Sequence, residues 1–359
     1  MHRPSSRQVL GNQPTPIDNL STGVFYVLKS HFQALYIIIG LFGLSLTNCK
    51  EKISTPDWSS VNADTQGKTI SKDPVVQDDY LSSHRVLENF DFDPNAPVRF
   101  VCYNLRNYLT MRRGKEDKFK PEHEIKAIIS NLVNSNPDIL GVCEIGTLQD
   151  LEHLQARLQQ AGCHLPFIHL SIGDDPYRRQ ALLSRFPLKD HKVPKYTFQM
   201  KGKLHEVRRG ILDVTVYTPK GNIRLLGAHL KSKRPIPVYD QAEIRREEAQ
   251  ILRKHASHIL RNNTSKLLVF GDMNDTKGSS TIRLMKGYKE EKLTSLELYD
   301  KHGTKWTQYW AKEDIYSRFD YVFASKAVLP MIDQKSSYVL DTPRGDPASD
   351  HRALVVLIR

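Results

Sequence analysis

The sequence predicts an α/β fold built as a layered sandwich, with two mostly antiparallel sheets packed face to face and flanked by helices. Three observations carry this. From Val98 onward, short apolar runs recur, each of strand length and rich in Val, Ile, Leu or aromatic residues. Between them lie a few stretches whose apolar residues repeat at helical spacing. Many strands with few helices favour sheet-on-sheet packing, the helices covering the outer faces.

Taken in order, the strand-like runs are 99–103, 139–143, 180–183, 211–217, 223–230, 266–270, 319–323 and 353–358. The first helical stretch, 122–134, places Ile125, Ile128, Ile129, Leu132 and Val133 on one face, and Asn136-Pro137 stops it. Stretches 148–160 and 242–259 have the same texture. No internal repeat is present. With 359 residues the chain can bury a sizeable core as one large domain or two ordinary ones.

The sequence is expected to divide into three parts: a disordered start plus signal-peptide segment over 1–49, a flexible linker over 50–95 and a catalytic domain over 96–359. Residues 1–30 are polar, with no helical or strand period. Lys29 precedes an apolar run, 34–46 (ALYIIIGLFGLSL), which is short for a bilayer span of roughly 20 residues but matches a signal-peptide core. It ends in Leu46-Thr47-Asn48-Cys49, followed by Lys50-Glu51-Lys52. This resembles a bacterial lipoprotein signal, in which the cysteine is lipidated and becomes the mature N-terminus. Asn48 departs from that pattern, which has a small residue before the cysteine, so an uncleaved anchor is the other reading. The expectation is an exported protein of the cell envelope, lipid-anchored at Cys49. The stretch 50–95, rich in Ser, Asp, Lys, Pro and Thr, reads as a solvated spacer between membrane and catalytic domain.

Lys+Arg exceed Asp+Glu by 52 to 40, a formal net charge of +12. This balance favours an anionic partner such as nucleic acid, a phosphate ester or an acidic membrane surface. The four cysteines, Cys49, Cys102, Cys143 and Cys163, have no C-x-x-C spacing and are too few for a disulfide scaffold. That spacing argues against a structural zinc site. With Cys49 modified, an odd number is left, so at least one thiol is free and buried.

Polar residues close the apolar runs in one recurring way. The run 100–103 leads to Asn104, 137–143 to Glu144, 224–228 to His229, and 267–270 to Gly271-Asp272-Met273-Asn274. Arg318-Phe319 leads to Asp320, and Ala348-Ser349 to Asp350-His351. Strands of a packed sandwich deliver such end residues to one rim. Carboxylate and amide oxygens there are hard ligands that suit Mg²⁺ or Mn²⁺, and a cation stabilises charge building on a phosphoryl group. Imidazoles exchange protons near neutral pH. Singly, each residue has a bland reading: Asn104 as a turn cap, Glu144 as a solvated strand end, His229 as a core histidine, Asp272 as a loop or helix cap, Ser349-Asp350 as an N-cap. All of these would have to hold at once.

The blocks Tyr103-Asn104-Leu105, Glu144, His229-Leu230, Gly271-Asp272-Met273-Asn274, Asp320-Tyr321-Val322 and Ser349-Asp350-His351 resemble, in order and spacing from Val98 to Arg359, the DNase I-like endonuclease/exonuclease/phosphatase superfamily. That group includes DNase I-like nucleases, abasic-site endonucleases, sphingomyelinases and inositol-phosphate phosphatases. The resemblance implies a four-layered α/β sandwich. It implies that Glu144 is the main metal ligand with Asn104 beside it, and that Asp350 completes the acidic cluster at a second metal position. Asp272 and Asn274 would contact the phosphate and align the attacking water. Asp320 would orient and polarise His351, and His229 would bind the phosphate or protonate the leaving group. Ala181 to Pro187 matches a strand-plus-Ser-Arg block, read mainly as structural. Arg178 stands where DNase I-like nucleases have a glutamate supporting the catalytic histidine, so the chain departs from DNase I proper. The resemblance also places Cys102 and Cys143 on neighbouring strands, which leaves either a disulfide or two buried thiols.

Softer candidates for substrate contact are Arg106, which follows Asn104, and Arg209 and Lys231, in basic segments that bracket the His229 strand. A solvated basic loop is the alternative for these. The function expected is an exported divalent-metal-dependent phosphoesterase, a phosphodiesterase or nuclease that attacks phosphorus with an activated water, with nucleic acid as the leading substrate. The alternatives are a phosphatase or phosphodiesterase acting on small-molecule or lipid phosphoesters, and a catalytically silent anchored module that binds nucleic acid or phospholipid.

Overall fold

A computed structural model of the chain describes residues 93, 95–113, 116–262 and 264–359. These lie within one unit, Lys72–Arg359. The expected signal segment, the lipidated Cys49 and all but the last residues of the linker fall outside the described residues.

Two six-stranded sheets form the body. From edge to edge the first runs Tyr338–Val339, Leu354–Ile358, Val98–Tyr108, Ile139–Ile145, Arg179–Ser184 and Phe167–Leu170. The second runs Thr294–Ser295, Asp320–Ala324, Leu267–Asp272, Gly221–His229, Ile211–Thr218 and Leu188–Asp190. Each sheet has one parallel pair at its centre, Val98–Tyr108 with Ile139–Ile145 and Gly221–His229 with Leu267–Asp272. The other pairings are antiparallel.

Period-two alternation splits each strand between two cores. Phe100, Cys102, Leu182, Leu212, Leu225, Leu268, Phe270, Val322, Leu354 and Val356 fill the space between the sheets. The alternate residues Val101, Tyr103, Leu140, Val142 and Leu183 meet the helices Glu122–Ser135 and Leu148–Gln160 on the first sheet's outer face. Leu226, Ala228, Leu267, Val269, Tyr321 and Phe323 meet Gln241–Leu260 and Ser280–Lys286 on the other. The result is the four-layered α/β sandwich that the sequence predicts. Leu148–Gln160 starts in a capping box between Thr147 and Asp150, and Glu122–Ser135 ends in left-handed Asn136 (φ 45°) just before Pro137.

Three features differ from the sequence reading. The first strand runs on to Tyr108 rather than stopping near Tyr103, with its register breaking between Asn104 and Tyr108. Three short hairpins appear that no apolar alternation announced: Thr110–Arg113 with Glu116–Phe119, Thr197–Met200 with Lys203–Glu206, and Gln308–Trp310 with Ile315–Ser317. Short strands outside the main sheets bury little and carry no face signal. Cys102, Cys143 and Cys163 are all free and buried, so the thiol reading holds over the disulfide.

Candidate active site

The site grows directly out of the alternation. Asn104 continues the inter-sheet stripe of Phe100 and Cys102. His229 continues that of Ile223 and Leu225, Asp272 that of Leu268 and Phe270, and Asp320 precedes Val322 and Ala324 on the same face. At one end of the sandwich the inter-sheet core therefore changes from apolar to ionisable without a change of face. Strand pairing sets three of these side by side: His229 lies opposite Asp272, and Asp272 opposite Asp320.

Glu144 reaches this end by a different route. Strict alternation would send it outward with Leu140 and Val142. A left-handed backbone at Glu144 (φ 64°) and a register break between Cys143 and Ile145 put Ile145 on the helix side instead. A positive φ at a non-glycine residue is unfavourable and is held only by its surroundings. Here it frees the carboxylate to face the cluster. Asn274 (φ 50°) is the second such residue in the site.

Asp272 is the hub. Its Oδ2 accepts from Asn104 Nδ2 at 3.1 Å, lies 3.4 Å from His229 Nε2 and 3.8 Å from His351 Nε2. Its Oδ1 accepts from the Asn274 backbone N–H at 2.8 Å. Asn104 Nδ2 also leans toward Glu144 Oε1 at 3.5 Å, and His229 Nε2 lies 3.7 Å from the same oxygen. His351 Nδ1 and Asp320 Oδ2 form a 2.7 Å hydrogen bond. Asp320 is positioned in turn by Thr307, whose hydroxyl accepts the backbone N–H groups of Phe319 and Asp320 at 3.0 Å each. Ser349 ties the His351 turn to the first strand: its hydroxyl donates to Asn104 O at 2.8 Å and accepts the His351 N–H at 3.1 Å.

Electrostatics follow from burial. Burial pushes the Asp272 carboxyl up to about 7; the His351 charge pulls against this, and the Asp320 and Glu144 carboxylates add to it. Burial holds His229 well below the usual imidazole range, with the Arg209 and His351 charges adding. For His351, burial acts downward but the charge and hydrogen bond of Asp320 outweigh it, so its proton is held well above the usual range.

Asp272, Asp320 and His351 each offer a ligand atom within 4.8 Å of one another. Two buried polar atoms there lack a partner in the protein, Asp320 Oδ1 and His229 Nδ1. Crowded carboxylates, one of them driven toward its protonated form, are relieved by a cation, and the oxygen-rich donor set fits Mg²⁺ or Mn²⁺. The carboxamide of Asn104 bridges the Glu144 and Asp272 carboxylates with its nitrogen, while its oxygen accepts the Arg106 N–H at 3.0 Å.

Of the residues proposed from sequence, Asn104, Glu144, His229, Asp272, Asn274, Asp320 and His351 converge here. Asp350 lies at the margin: its carboxylate accepts from Gln308 at 3.4 Å and sits 3.9 Å from Arg106 Nε. Arg106 is exposed beside it. Arg106, Tyr309, Trp310, Lys312, Asp350 and His351 are among the residues that line a cleft of about 250 Å³. Arg209 and Lys231 turn to the scaffold: the Arg209 guanidinium donates to Leu230 O at 2.6 Å, and Lys231 Nζ stays within its own loop near Ser232 and Arg234. Sequence reading missed Thr307, Gln308 and Glu248. All three hold backbone or side-chain groups across loops, and only the fold brings them near.

The family model described as Endonuclease/Exonuclease/phosphatase family matches residues 103–351, from the first strand through His351. The chain belongs to the endonuclease/exonuclease/phosphatase family. As a member of this family it is a hydrolase acting on phosphoester bonds. Solved structures share its fold. An endonuclease/exonuclease/phosphatase from Beutenbergia cavernae DSM 12333 is 18% identical with a TM-score of 0.52, over 74% of this chain and 72% of that one. Sphingomyelinase C from Streptomyces griseocarneus is 12% identical with a TM-score of 0.50, over 73% and 99%. An AP endonuclease from Archaeoglobus fulgidus is 14% identical with a TM-score of 0.50, over the same 73% and 99%. No curated protein matches the chain in sequence.

Proposed function

We propose that this family member is an exported, divalent-metal-dependent phosphodiesterase that cleaves nucleic acid by attack of an activated water. The observation that carries it is the Asp272 hub: one buried carboxylate oxygen set among Asn104, His229 and His351, with Asp320 locked to His351. Two proton-carrying imidazoles then flank the carboxylate face where a phosphoryl group would sit.

In this reading Glu144 would hold Mg²⁺ or Mn²⁺ with Asn104 beside it, the carboxamide nitrogen tying Glu144 to Asp272, and Asp350 would serve a second position. The cation supplies charge to stabilise the phosphoryl oxygens in the transition state. Asp272 and Asn274 orient the attacking water. Asp320 fixes the His351 ring so that Nε2 points at the Asp272 side. Neutral His229 can donate one proton toward a phosphate or leaving oxygen.

The neighbours of this fold include an AP endonuclease and a sphingomyelinase C, so fold alone does not choose between nucleic acid and lipid. The cleft supports nucleic acid. Its lining includes the cations Arg106 and Lys312, for backbone phosphates, and the aromatic side chains of Tyr309 and Trp310, for bases, alongside the carboxylates of Glu124, Asp346 and Asp350. The net charge of +12 points the same way. Export and anchoring at Cys49 rest on the apolar run 34–46 and the residues that follow it; mass spectrometry of the native protein finding an unmodified Cys49 would remove the anchor.

The test is hydrolysis of plasmid DNA, RNA, bis-p-nitrophenyl phosphate and p-nitrophenyl phosphate with Mg²⁺, Mn²⁺ or EDTA, beside His351→Ala. Metal-stimulated cleavage of DNA or RNA that the variant loses is expected. Turnover confined to the monoester would replace the nuclease reading with a phosphatase.

A further inference from the structure

The helix Gln241–Leu260 packs Ala249, Leu252 and Ala256 against the second sheet, as its period requires. The same helix buries two charged residues, Arg245 (3% exposed) and Glu248 (8%). Buried charge is costly unless its hydrogen bonds are well made, so the partners of these two residues show what holds them there. Glu248 Oε2 accepts the Lys231 backbone N–H at 2.6 Å. Arg245 Nη1 donates to Lys231 O at 2.9 Å, and its Nε to Asp275 Oδ2 at 3.2 Å.

The peptide that links Leu230 to Lys231 thus has its N–H held by a side chain. Its carbonyl is held twice more, by Arg209 Nη1 at 2.6 Å and by Asn274 Nδ2 at 3.0 Å. Two consequences reach the site. First, Leu230 follows His229 directly, so this peptide anchors the end of the strand that carries the imidazole. Second, Leu230 O engages the nitrogen of the Asn274 carboxamide. That bond fixes which end of the carboxamide faces Leu230, on a residue already at φ 50°.

We propose that Glu248 is a positioning residue: by fixing the Leu230–Lys231 peptide it sets the orientation of the Asn274 carboxamide and the end of the His229 strand. This rests on the reading of Asn274 as a water-orienting residue. Glu248 touches no reacting atom. The Arg209, Lys231 and Arg245 charges around it give its carboxylate the counter-charges that make the arrangement tolerable.

The experiment uses the full chain, with bis-p-nitrophenyl phosphate and Mn²⁺. Glu248→Leu removes the acceptor at similar volume. Glu248→Asp keeps the charge but withdraws it by one methylene, and serves if the leucine variant does not fold. Glu248→Gln keeps an acceptor at full reach. The Leu and Asp variants are expected to lose kcat by roughly ten- to a hundredfold with KM within about twofold, and the Gln variant to recover most of it. Adding Glu248→Asp to Asn274→Ala is expected to cost little beyond Asn274→Ala alone, because the group that Glu248 orients is already gone. Fully additive losses, or wild-type kcat in the Leu and Asp variants with only a lower Tm, would overturn the proposal. Side-chain amide hydrogen exchange at Asn274, read by NMR, does not depend on turnover. Protection in the wild type that Glu248→Asp abolishes supports the positioning role even if no phosphodiester is cleaved, and equal protection in both overturns it.

Discussion

At the scale of single residues, the proposed chemistry rests on how Asp320 treats His351. A 2.7 Å bond to a carboxylate buried to 1% exposure fixes which ring nitrogen faces Asp272 and keeps the imidazole charged beyond the usual range. If His351 is the base of the proposed mechanism it must lose that proton to act, so the rate should rise with pH through the His351 titration. Asp320→Asn keeps the shape but removes the charge that raises the pKa. It is therefore expected to move the rising limb of the pH–rate profile toward lower pH and to lower kcat by about 10²–10⁴, the scale of a disabled acid–base group. A limb that stays in place would show that His351 is not the group being read. The residue types at this site were legible because they sit at strand ends in family order. Thr307, Gln308 and Glu248 were not: they act on backbone or side-chain groups brought near by folding, and Glu248 looks in sequence like one more exposed helix charge beside Glu247. Nor could the sequence tell that Arg209 spends its guanidinium on Leu230 O.

At the scale of elements, the main strands and helices were legible because burial imposes a period on them. The bulge at Glu144 was not, since alternation alone sends that side chain outward and only φ and register reveal the correction. Just below it, the inter-sheet layer is set by Phe270, whose ring meets Phe100 edge-on at 5.1 Å. A Cβ on Gly141 would fall inside that ring, and one on Gly227 would stand 2.9 Å from its Cζ. The two glycines let the sheets close around Phe270 directly beneath the site. Gly141→Ala is expected to destabilise the protein by about 1–3 kcal/mol through overpacking, read as a lower Tm. Phe270→Leu in the same chain should give part of that back. If the double variant is worse than the sum of the singles, the clash with Phe270 is not the cause.

At the scale of the molecule, one sandwich places its apolar core and its ionisable cluster on the same inter-sheet face, so stability and site chemistry share one set of charges. Glu248 shows this through pH. Its carboxyl is pushed up to about 7 by burial, from 4.5 when free. A raised carboxyl favours the folded state below its unfolded value and loses that contribution as pH rises to the folded value. The gap is on the order of 3 kcal/mol as a ceiling. His229, held neutral, acts in the opposite sense over part of that range, so the informative quantity is the difference between wild type and Glu248→Gln. That difference in unfolding free energy should shift against the wild type between about pH 4.5 and 7 and be flat above; a flat difference throughout would mean that Glu248 is ionised across the range. The carboxylates of Glu144, Asp272 and Asp320 make a further demand at the same end of the molecule. Asp272 is pushed toward its protonated form by burial, with its neighbours' charge adding. A divalent cation that binds only the folded chain relieves this and stabilises it by RT ln(1 + [L]/Kd), about 2.7 kcal/mol at a hundredfold excess over Kd. Mg²⁺ or Mn²⁺ is therefore expected to raise Tm, EDTA to reverse the rise, and Glu144→Gln to remove most of it. Because the readout is unfolding rather than turnover, it separates metal binding from catalysis. A Tm indifferent to Mg²⁺, Mn²⁺ and EDTA would take the cation out of this site, even with activity intact.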